Sequence, residues 1–467
     1  MELGIPIDSE LKQPLYEQIY VYIRDEIKKK KLIRGEKLPS TRALALSLHV
    51  SRQTVTIAYE QLVAEGYVEA IKNSGYFIKA YENIYVSNNE SISCGSSNED
   101  EEKYDYDLSP NGIDFNLFPF SVWRKLSRET LVKENVKIFS QGDDKGELGL
   151  RREISKYLYA SRGISAKEEQ IIIAAGTQYL LILINLLLKK EKIAIENPNY
   201  KQWTQLFDKL GLKLEAMDID ENGIKVEDLE KADVDLAMLT PNHHYPTGIV
   251  MPVSRRLKLI DWVNSKEERY LIEDDYDSEF RYRGKPIPAL ASIDKLQRVV
   301  YLGTFSRAIS SSVRISFMVL PKTLLKKYNE NLSFMVCTVP RIDQDILYRF
   351  MKEGYFERHL NRMRFSYKAK HDIITQIFKQ QSEKFDILGD NSGAHLLIKA
   401  KYGISEEQMV SRAKEKGVKV YPVSEFYIDS EKCGLKSTVL IGFASIAKVN
   451  LEKACKAILC AWLEFDD

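Results

Sequence analysis

Between Pro14 and Lys31 the apolar residues Leu15, Ile19, Val21, Ile23 and Ile27 recur at helical spacing. Such spacing gathers apolar side chains onto one face and predicts a helix. Lys28 to Lys31 stand at its far end, where cations complement the helix dipole. A second helix is predicted from Ser40, whose hydroxyl can cap it, with Leu44, Leu46 and Leu48 following. His49-Val50 makes a tight turn, and Ser51 caps a third helix, RQTVTIAYEQLVAEG, stopped by Gly66. Two short helices joined so closely form a helix-turn-helix. The stretch GYVEAIKNSGYFIKA then alternates apolar and polar positions around Asn73-Ser74-Gly75, which predicts a hairpin, or wing.

The pattern then changes twice. Residues 81–106 are rich in Ser, Asn, Asp and Glu and poor in aliphatics. A segment of that composition cannot bury enough apolar surface to offset its ordering entropy, so it reads as a flexible acidic linker. From Asp107 onward, β-like runs such as QIIIAAG, KIAIEN, DLAMLT, RYLIEDDY and RVVYLGTFS alternate with amphipathic helical stretches. That alternation predicts an α/β domain with a mainly parallel sheet covered by helices. The expected organisation is 1–80, a winged helix; 81–106, a linker; and 107–467, a large α/β domain. The longest apolar run, Tyr179 to Leu188, is about half the length of a membrane-spanning helix and reads as a buried one.

Length and composition agree with this division. A chain of 467 residues, 44% apolar and 29% charged, has room for two or three domains with a large core. Its 68 basic and 67 acidic residues leave a net charge of +1, so nucleic-acid binding must rest on a local site. The five cysteines are scattered and form no CxxC pair or metal-ligand cluster. Neither a signal-peptide pattern nor a spanning run is present, and a reduced cytoplasm is the expected compartment.

Candidate DNA contacts cluster in the first zone. Arg42 and Arg52 stand near helix starts, where guanidinium groups reach phosphate or a guanine edge. Gln53 and Thr54 occupy the first turn of the third helix, the part of a recognition helix that meets bases. Ser40 and Ser51 begin the two helices, and Gly75 lets the wing backbone approach the groove. A winged helix that binds protein is the alternative. Residues 14–78 resemble the DNA-binding domain of the GntR regulators nearly end to end. The specific marks are Gly35, Leu38-Pro39-Ser40-Thr41-Arg42, Ser51-Arg52-Gln53-Thr54-Val55 and Glu65-Gly66-Tyr67. The resemblance implies contact with double-stranded operator DNA through Arg42, Arg52 and the wing glycine.

In the large zone, landmarks arrive in an order that chemistry can explain. Gly176-Thr177-Gln178 closes a strand and opens a helix, whose free N–H groups make an anion site. Tyr200 follows the strand KIAI at the sheet edge where open α/β folds bind ligands. Then come Thr240 to Gly248, the strand end Glu273-Asp274-Asp275-Tyr276, Gly303-Thr304-Phe305-Ser306 and Arg314. Singly, each has an ordinary account as a cap, a packing residue or a surface ion pair. Together they resemble the fold-type I aminotransferases, which implies a smaller C-terminal α+β subdomain and a site for pyridoxal 5′-phosphate (PLP). In that resemblance Gly176, Thr177, Ser306 and Arg314 hold the phosphate and Tyr200 stacks on the ring. Asp274 pairs with the ring nitrogen and Tyr276 meets the ring oxygen, with Asp275 a close rival for the carboxylate. Winged helix, linker and aminotransferase-like domain in this order resemble the MocR group of GntR regulators, as do IEDDYDSEFRY and YFERHLNRMR. That implies a homodimer whose large domain senses PLP or a related metabolite.

Two departures bear on activity. Transamination needs a lysine to form the Schiff base; the resemblance places it directly after Phe-Ser, and this chain has Arg307 there. A guanidinium stays protonated and is a very poor amine nucleophile, though it offers forked hydrogen bonds to an anion or aldehyde oxygen. The arginine that commonly clamps a substrate carboxylate is replaced by Leu440 in the strand Leu440 to Ala444. Both losses argue against an aminotransferase and for non-covalent PLP. A PLP enzyme carrying a DNA-binding domain and a ligand-free structural repressor are the competing expectations.

Overall fold

The computed structural model describes residues 3–8, 13–79, 103–282, 287–401 and 403–464. The chain divides into two compact units, 1–101 and 102–467. Residues 80–102, which include most of the 81–106 stretch read as a linker, lie outside the described residues.

In the first unit, helix α1 (Leu15–Lys28) and helix α3 (Arg52–Ala64) bury Ile19, Ile23, Val55, Ala58, Tyr59 and Leu62 in one cluster. Burial of each large aliphatic side chain contributes roughly 1.5–3 kcal/mol. Helix α2 (Thr41–Ser47) lies between them in sequence and packs on α3 through Leu44 and Ala45. Both predicted caps form: Ser40 Oγ accepts from the Ala43 N–H and Ser51 Oγ from the Thr54 N–H, each at 3.1 Å. The Tyr59 hydroxyl donates to the Pro39 carbonyl at 3.0 Å, tying α3 to the residue before the α2 cap. Strands β1 (Val68–Ile71) and β2 (Gly75–Ile78) pair antiparallel as the wing. Gly75 has φ +116°, a backbone region that side chains rarely adopt, so the turn demands glycine.

The second unit opens with strand β3 (Tyr106–Asp107), which pairs with Val418–Lys419. Structure therefore begins inside the stretch read as linker, since the Asp105 N–H already donates to the Gly417 carbonyl. Helices α4 (Phe120–Thr130) and α5 (Leu148–Arg162) precede the main sheet. Its strands are β4 (Ile171–Ala174), β5 (Lys192–Asn197), β6 (Lys213–Asp220), β7 (Gly223–Ile224), β8 (Leu236–Leu239), β9 (Tyr270–Asp275), β10 (Val299–Thr304) and β11 (Ser316–Val319). They lie in the order β4-β11-β10-β9-β8-β5-β6-β7. The central ladders from β10 through β9, β8 and β5 to β6 are all parallel; β11 runs against both β10 and β4. The run from Tyr179 becomes part of helix α6 (Thr177–Leu188), with Leu180, Leu181, Leu183, Ile184 and Leu187 buried. Among the described residues, no helix is long and apolar enough to cross a membrane.

A second, four-stranded antiparallel sheet (Phe385–Leu388, His395–Ala400, Thr438–Gly442, Tyr421–Pro422) forms the smaller α+β part. Helices Tyr355–Lys379, Glu406–Glu415 and Lys448–Leu463 pack with it around Phe378, Phe385 and Trp462.

The parallel ladders fix where a site can form. The C-terminal ends of β5, β8, β9 and β10 open on one edge of the sheet. Two sign reversals bring the end of β4 and the start of β11 to the same edge. Every landmark motif of the large zone therefore meets there. In the first unit, Ser51→Ala is expected to lower stability by about 1 kcal/mol, read by thermal unfolding, because the Thr54 N–H loses its acceptor.

Candidate functional site

The helix-turn-helix presents its polar starts together. Arg52 Nε lies 3.3 Å from Thr41 Oγ1, so the first turn of α3 adjoins the first turn of α2. Ser40, Arg42, Ser51, Arg52 and Gln53 are exposed and Thr54 is half-buried, its hydroxyl 2.8 Å from that of Ser51. In the wing, Lys37 bridges to Phe77 with its ammonium 5.7 Å from the ring, and its stem covers Gly75. Lys37 therefore adds a cation to the wing that sequence reasoning missed. Its signal, one lysine in the loop before Leu38-Pro39, was too slight to single out.

At the sheet edge of the large unit lies a cavity of about 290 Å³. Its lining includes Gly176, Thr177, Tyr200, Asp274, Tyr276, Ser306, Arg307 and Arg314, all eight ligand-site candidates. Gly176, φ +97°, is the N-cap residue of α6, and no side chain caps that helix. A Cβ at Gly176 would stand 2.5 Å from an Arg314 terminal nitrogen, so glycine is what lets the guanidinium reach the open helix end. Uncapped N–H groups beside a guanidinium make a corner suited to an anion. Arg314 itself has φ +54°, unusual for a non-glycine residue.

Strand geometry separates the adjacent carboxylates. Neighbouring residues of a strand face opposite sides of the sheet. Asp275 points away from the cavity, accepting from Arg162 Nε at 2.8 Å and from the Tyr301 hydroxyl at 2.6 Å. Glu273, on the same side, accepts from the Leu290 and Ala291 N–H groups at 2.9 Å and 3.0 Å. Asp274 alone of the three lines the cavity. Burial pushes its carboxyl up to about 7, with Asp275 adding to the rise and a Trp203 hydrogen bond opposing it.

Tyr276 belongs to a buried relay. His243 Nδ1 lies 2.9 and 3.0 Å from the Asp277 oxygens and 2.9 Å from Tyr276 Oη. Facing a carboxylate, Nδ1 is the donor, and the Tyr276 oxygen shares its proton. The Tyr276 O–H is thus free to donate into the cavity. Tyr200 forms the aromatic wall, with ring centres 5.3 Å from Trp203 and 5.6 Å from Tyr245.

Arg307 is anchored. Its terminal nitrogens donate to the Pro110 carbonyl at 3.0 Å and to Asn111 Oδ1 at 2.7 Å. No lysine is among the described residues that line the cavity. Leu440 is fully buried in an apolar cluster with Tyr245, Leu397 and Val423. Tyr245, Asn111 and Trp203 are lining residues that sequence reasoning did not name as site residues. Tyr245 stood inside the Thr240–Gly248 landmark and was within reach; Asn111 lies in a turn with no periodic signal. The Tyr245 hydroxyl and Asn199 Oδ1 are buried without a hydrogen-bond partner among the described residues. An uncapped helix end, a carboxyl facing no cation, an aromatic wall and two orphaned polar atoms together fit a phosphorylated pyridine such as PLP.

The comparisons with known proteins follow the same two units. Residues 106–458 match the aminotransferase class I and II family, and residues 15–78 match the gntR family of bacterial regulatory proteins. The chain is 35% identical over 465 residues to YdeL of Bacillus subtilis, described as an uncharacterized HTH-type transcriptional regulator; the match covers 99% of this chain and 100% of YdeL. The chain belongs to the MocR-type GntR transcription regulators. The probable rhizopine catabolism regulatory protein MocR of Rhizobium meliloti is 28% identical, covering 98% of this regulator and 96% of MocR. Among solved structures, the kynurenine aminotransferase of Pyrococcus horikoshii, solved with PMP, superposes with a TM-score of 0.68 at 26% identity. That match covers 78% of the regulator and 92% of the aminotransferase. The regulator thus joins a GntR-type DNA-binding unit to a domain of the PLP-dependent aminotransferase fold.

Three carboxyl groups at or beside the cavity, Glu196, Glu273 and Asp274, are each pushed up to about 7 by burial. The folded state holds these protons more tightly than the unfolded chain, so stability falls as pH rises from about 4 to 7. Asp274→Asn is therefore expected to raise the melting temperature of the ligand-free regulator at pH 8 and to leave it nearly unchanged at pH 4. The gain at pH 8 has an upper limit of about 4 kcal/mol, and scanning calorimetry at the two pH values checks it.

Proposed function

We propose that this regulator is a cytoplasmic homodimer that binds operator DNA through its winged helices and binds PLP, or a close phosphate-ester relative, without covalent attachment. The observation that carries the reading is Arg307, anchored to Pro110 and Asn111 in a cavity whose described lining holds no lysine. Its guanidinium cannot act as the amine of transamination. Leu440, buried among apolar neighbours, offers no charge to a substrate carboxylate. The large unit is accordingly a ligand sensor, not an aminotransferase.

Within this reading each residue has a task. The α6 N–H groups of the Gly176-Thr177 turn, the Ser306 hydroxyl and Arg314 hold the phosphate. Tyr200 covers one ring face, and Tyr276 donates to the ring oxygen. Asp274 holds a proton on the ring nitrogen, and that cation in turn draws the Asp274 carboxyl down from about 7. PLP supplies, when bound, an electron-withdrawing ring that no lysine among the described lining residues is placed to exploit. Ligand binding alters DNA affinity only so far as the ligand favours one arrangement of the dimer over another.

At the DNA end, Arg52→Ala is expected to cost about 1–3 kcal/mol of operator affinity if its fork meets a base edge. Salt-insensitive binding, or binding unchanged by both Arg42→Ala and Arg52→Ala, would count against the assignment. At the ligand end, borohydride treatment with PLP should leave no reduced adduct in the cavity of the Arg307 protein. Arg307→Lys should instead give a yellow protein with a reduced adduct on that lysine, without transaminase turnover. Robust turnover by the Arg307 protein, or a reduced adduct mapped to another lysine in the cavity, would sink the sensor reading.

A further inference from the structure

Two guanidinium groups line the cavity, and they have different neighbours. Arg314 abuts Gly176 at the open end of α6. Arg307 stands where residues 110–111 cross the sheet edge, held by two uncharged oxygens, the Pro110 carbonyl and Asn111 Oδ1. Those bonds use two of its five N–H donors and neutralise none of its charge. Its field reaches the aromatic lining: it opposes the upward push that burial gives the hydroxyls of Tyr200, Tyr245 and Tyr276. The acidic lining residues oppose it weakly. Burial raises Asp274 and Glu196 to about 7, and Glu196 is already turned to the Thr240 N–H and hydroxyl at 2.8 and 3.0 Å. The cavity therefore has two guanidinium groups held by different partners, both acting on the Tyr200 ring that forms its aromatic wall.

We propose that its ligand is anionic at both ends: a phosphorylated aromatic ring held by Arg314, bearing a carboxylate that Arg307 holds. Arg307 is then a specificity-determining residue that rejects a ligand with an ammonium in that place. The inference rests on reading the cavity as a site for a phosphorylated pyridine, and goes beyond it by naming the second charge. A carboxylate matches the remaining N–H groups of the fork, whereas an ammonium meets like charge in a partly desolvated wall.

Titration calorimetry on the full-length protein tests this with four probes: 4-pyridoxic acid 5′-phosphate, a reduced phosphopyridoxyl–amino acid, PLP and pyridoxamine 5′-phosphate. At least one carboxylate-bearing probe is expected to bind about tenfold or more tightly than pyridoxamine 5′-phosphate. Tighter binding of pyridoxate phosphate places the carboxylate on the ring; tighter binding of the reduced adduct places it on an attached amino acid. Arg307→Gln, which removes the charge and keeps a polar side chain, should bring all four within about threefold. Pyridoxamine 5′-phosphate binding as tightly as both carboxylate probes, or an order unchanged by Arg307→Gln, overturns the proposal while PLP binding preserves the sensor reading. Failure of all four to bind overturns both.

Discussion

The ion pair between Arg162 and Asp275 sets the terms for the cavity. Both side chains are almost wholly buried, and Arg162 Nε meets the carboxylate at 2.8 Å while the Tyr301 hydroxyl takes the same oxygen. A buried carboxylate so paired is committed to its own side of the sheet. The strand's alternation then leaves Asp274 on the other side, facing the cavity with a tryptophan hydrogen bond and no cation beside it. One face of β9 is thus a structural anchor, and the other holds an unneutralised acid. Losing Arg162 would leave Asp275 buried and unpaired, a fault expected to disturb the strand that presents Asp274.

Around that acid, the parallel ladders do the gathering. Residues as far apart in sequence as Gly176, Tyr200, Tyr245, Asp274, Arg307 and Arg314 reach one cavity because each follows or precedes a strand end on the same edge. The edge holds groups that stability alone does not favour. Gly176 and Arg314 have left-handed backbone conformations, Tyr245 Oη and Asn199 Oδ1 have no hydrogen-bond partner among the described residues, and burial pushes the Asp274 carboxyl up to about 7. Such a collection is characteristic of a site kept for a ligand. A cavity that had merely decayed would have no reason to keep the Gly176–Arg314 fit.

Much of this was legible from residues alone, for identifiable reasons. The winged helix could be read to its caps because Ser40, Ser51 and the Asn73-Ser74-Gly75 turn are local signals, and local hydrogen bonds satisfy them. The cavity lining could be read from strand ends. The choice between Asp274 and Asp275 was in principle decidable by alternation, but only with the side of the sheet known, and that depends on Arg162, far back in the chain. Asn111 and the Pro110 carbonyl were beyond reach: nothing local marks a turn whose partner lies some two hundred residues later. Lys37 is a similar case, its place on the wing fixed by a bridge to Phe77.

The central claim is that a cavity built around an unpaired acid takes its ligand reversibly. Equilibrium dialysis of the PLP-saturated full-length protein, followed by denaturing mass spectrometry, tests it most directly. The account predicts saturable binding of about one PLP per chain, complete release on dialysis, and an unaltered chain mass. It also predicts much weaker binding to Asp274→Ala. PLP that stays attached through dialysis and appears as added mass, or binding indifferent to Asp274→Ala, would contradict it.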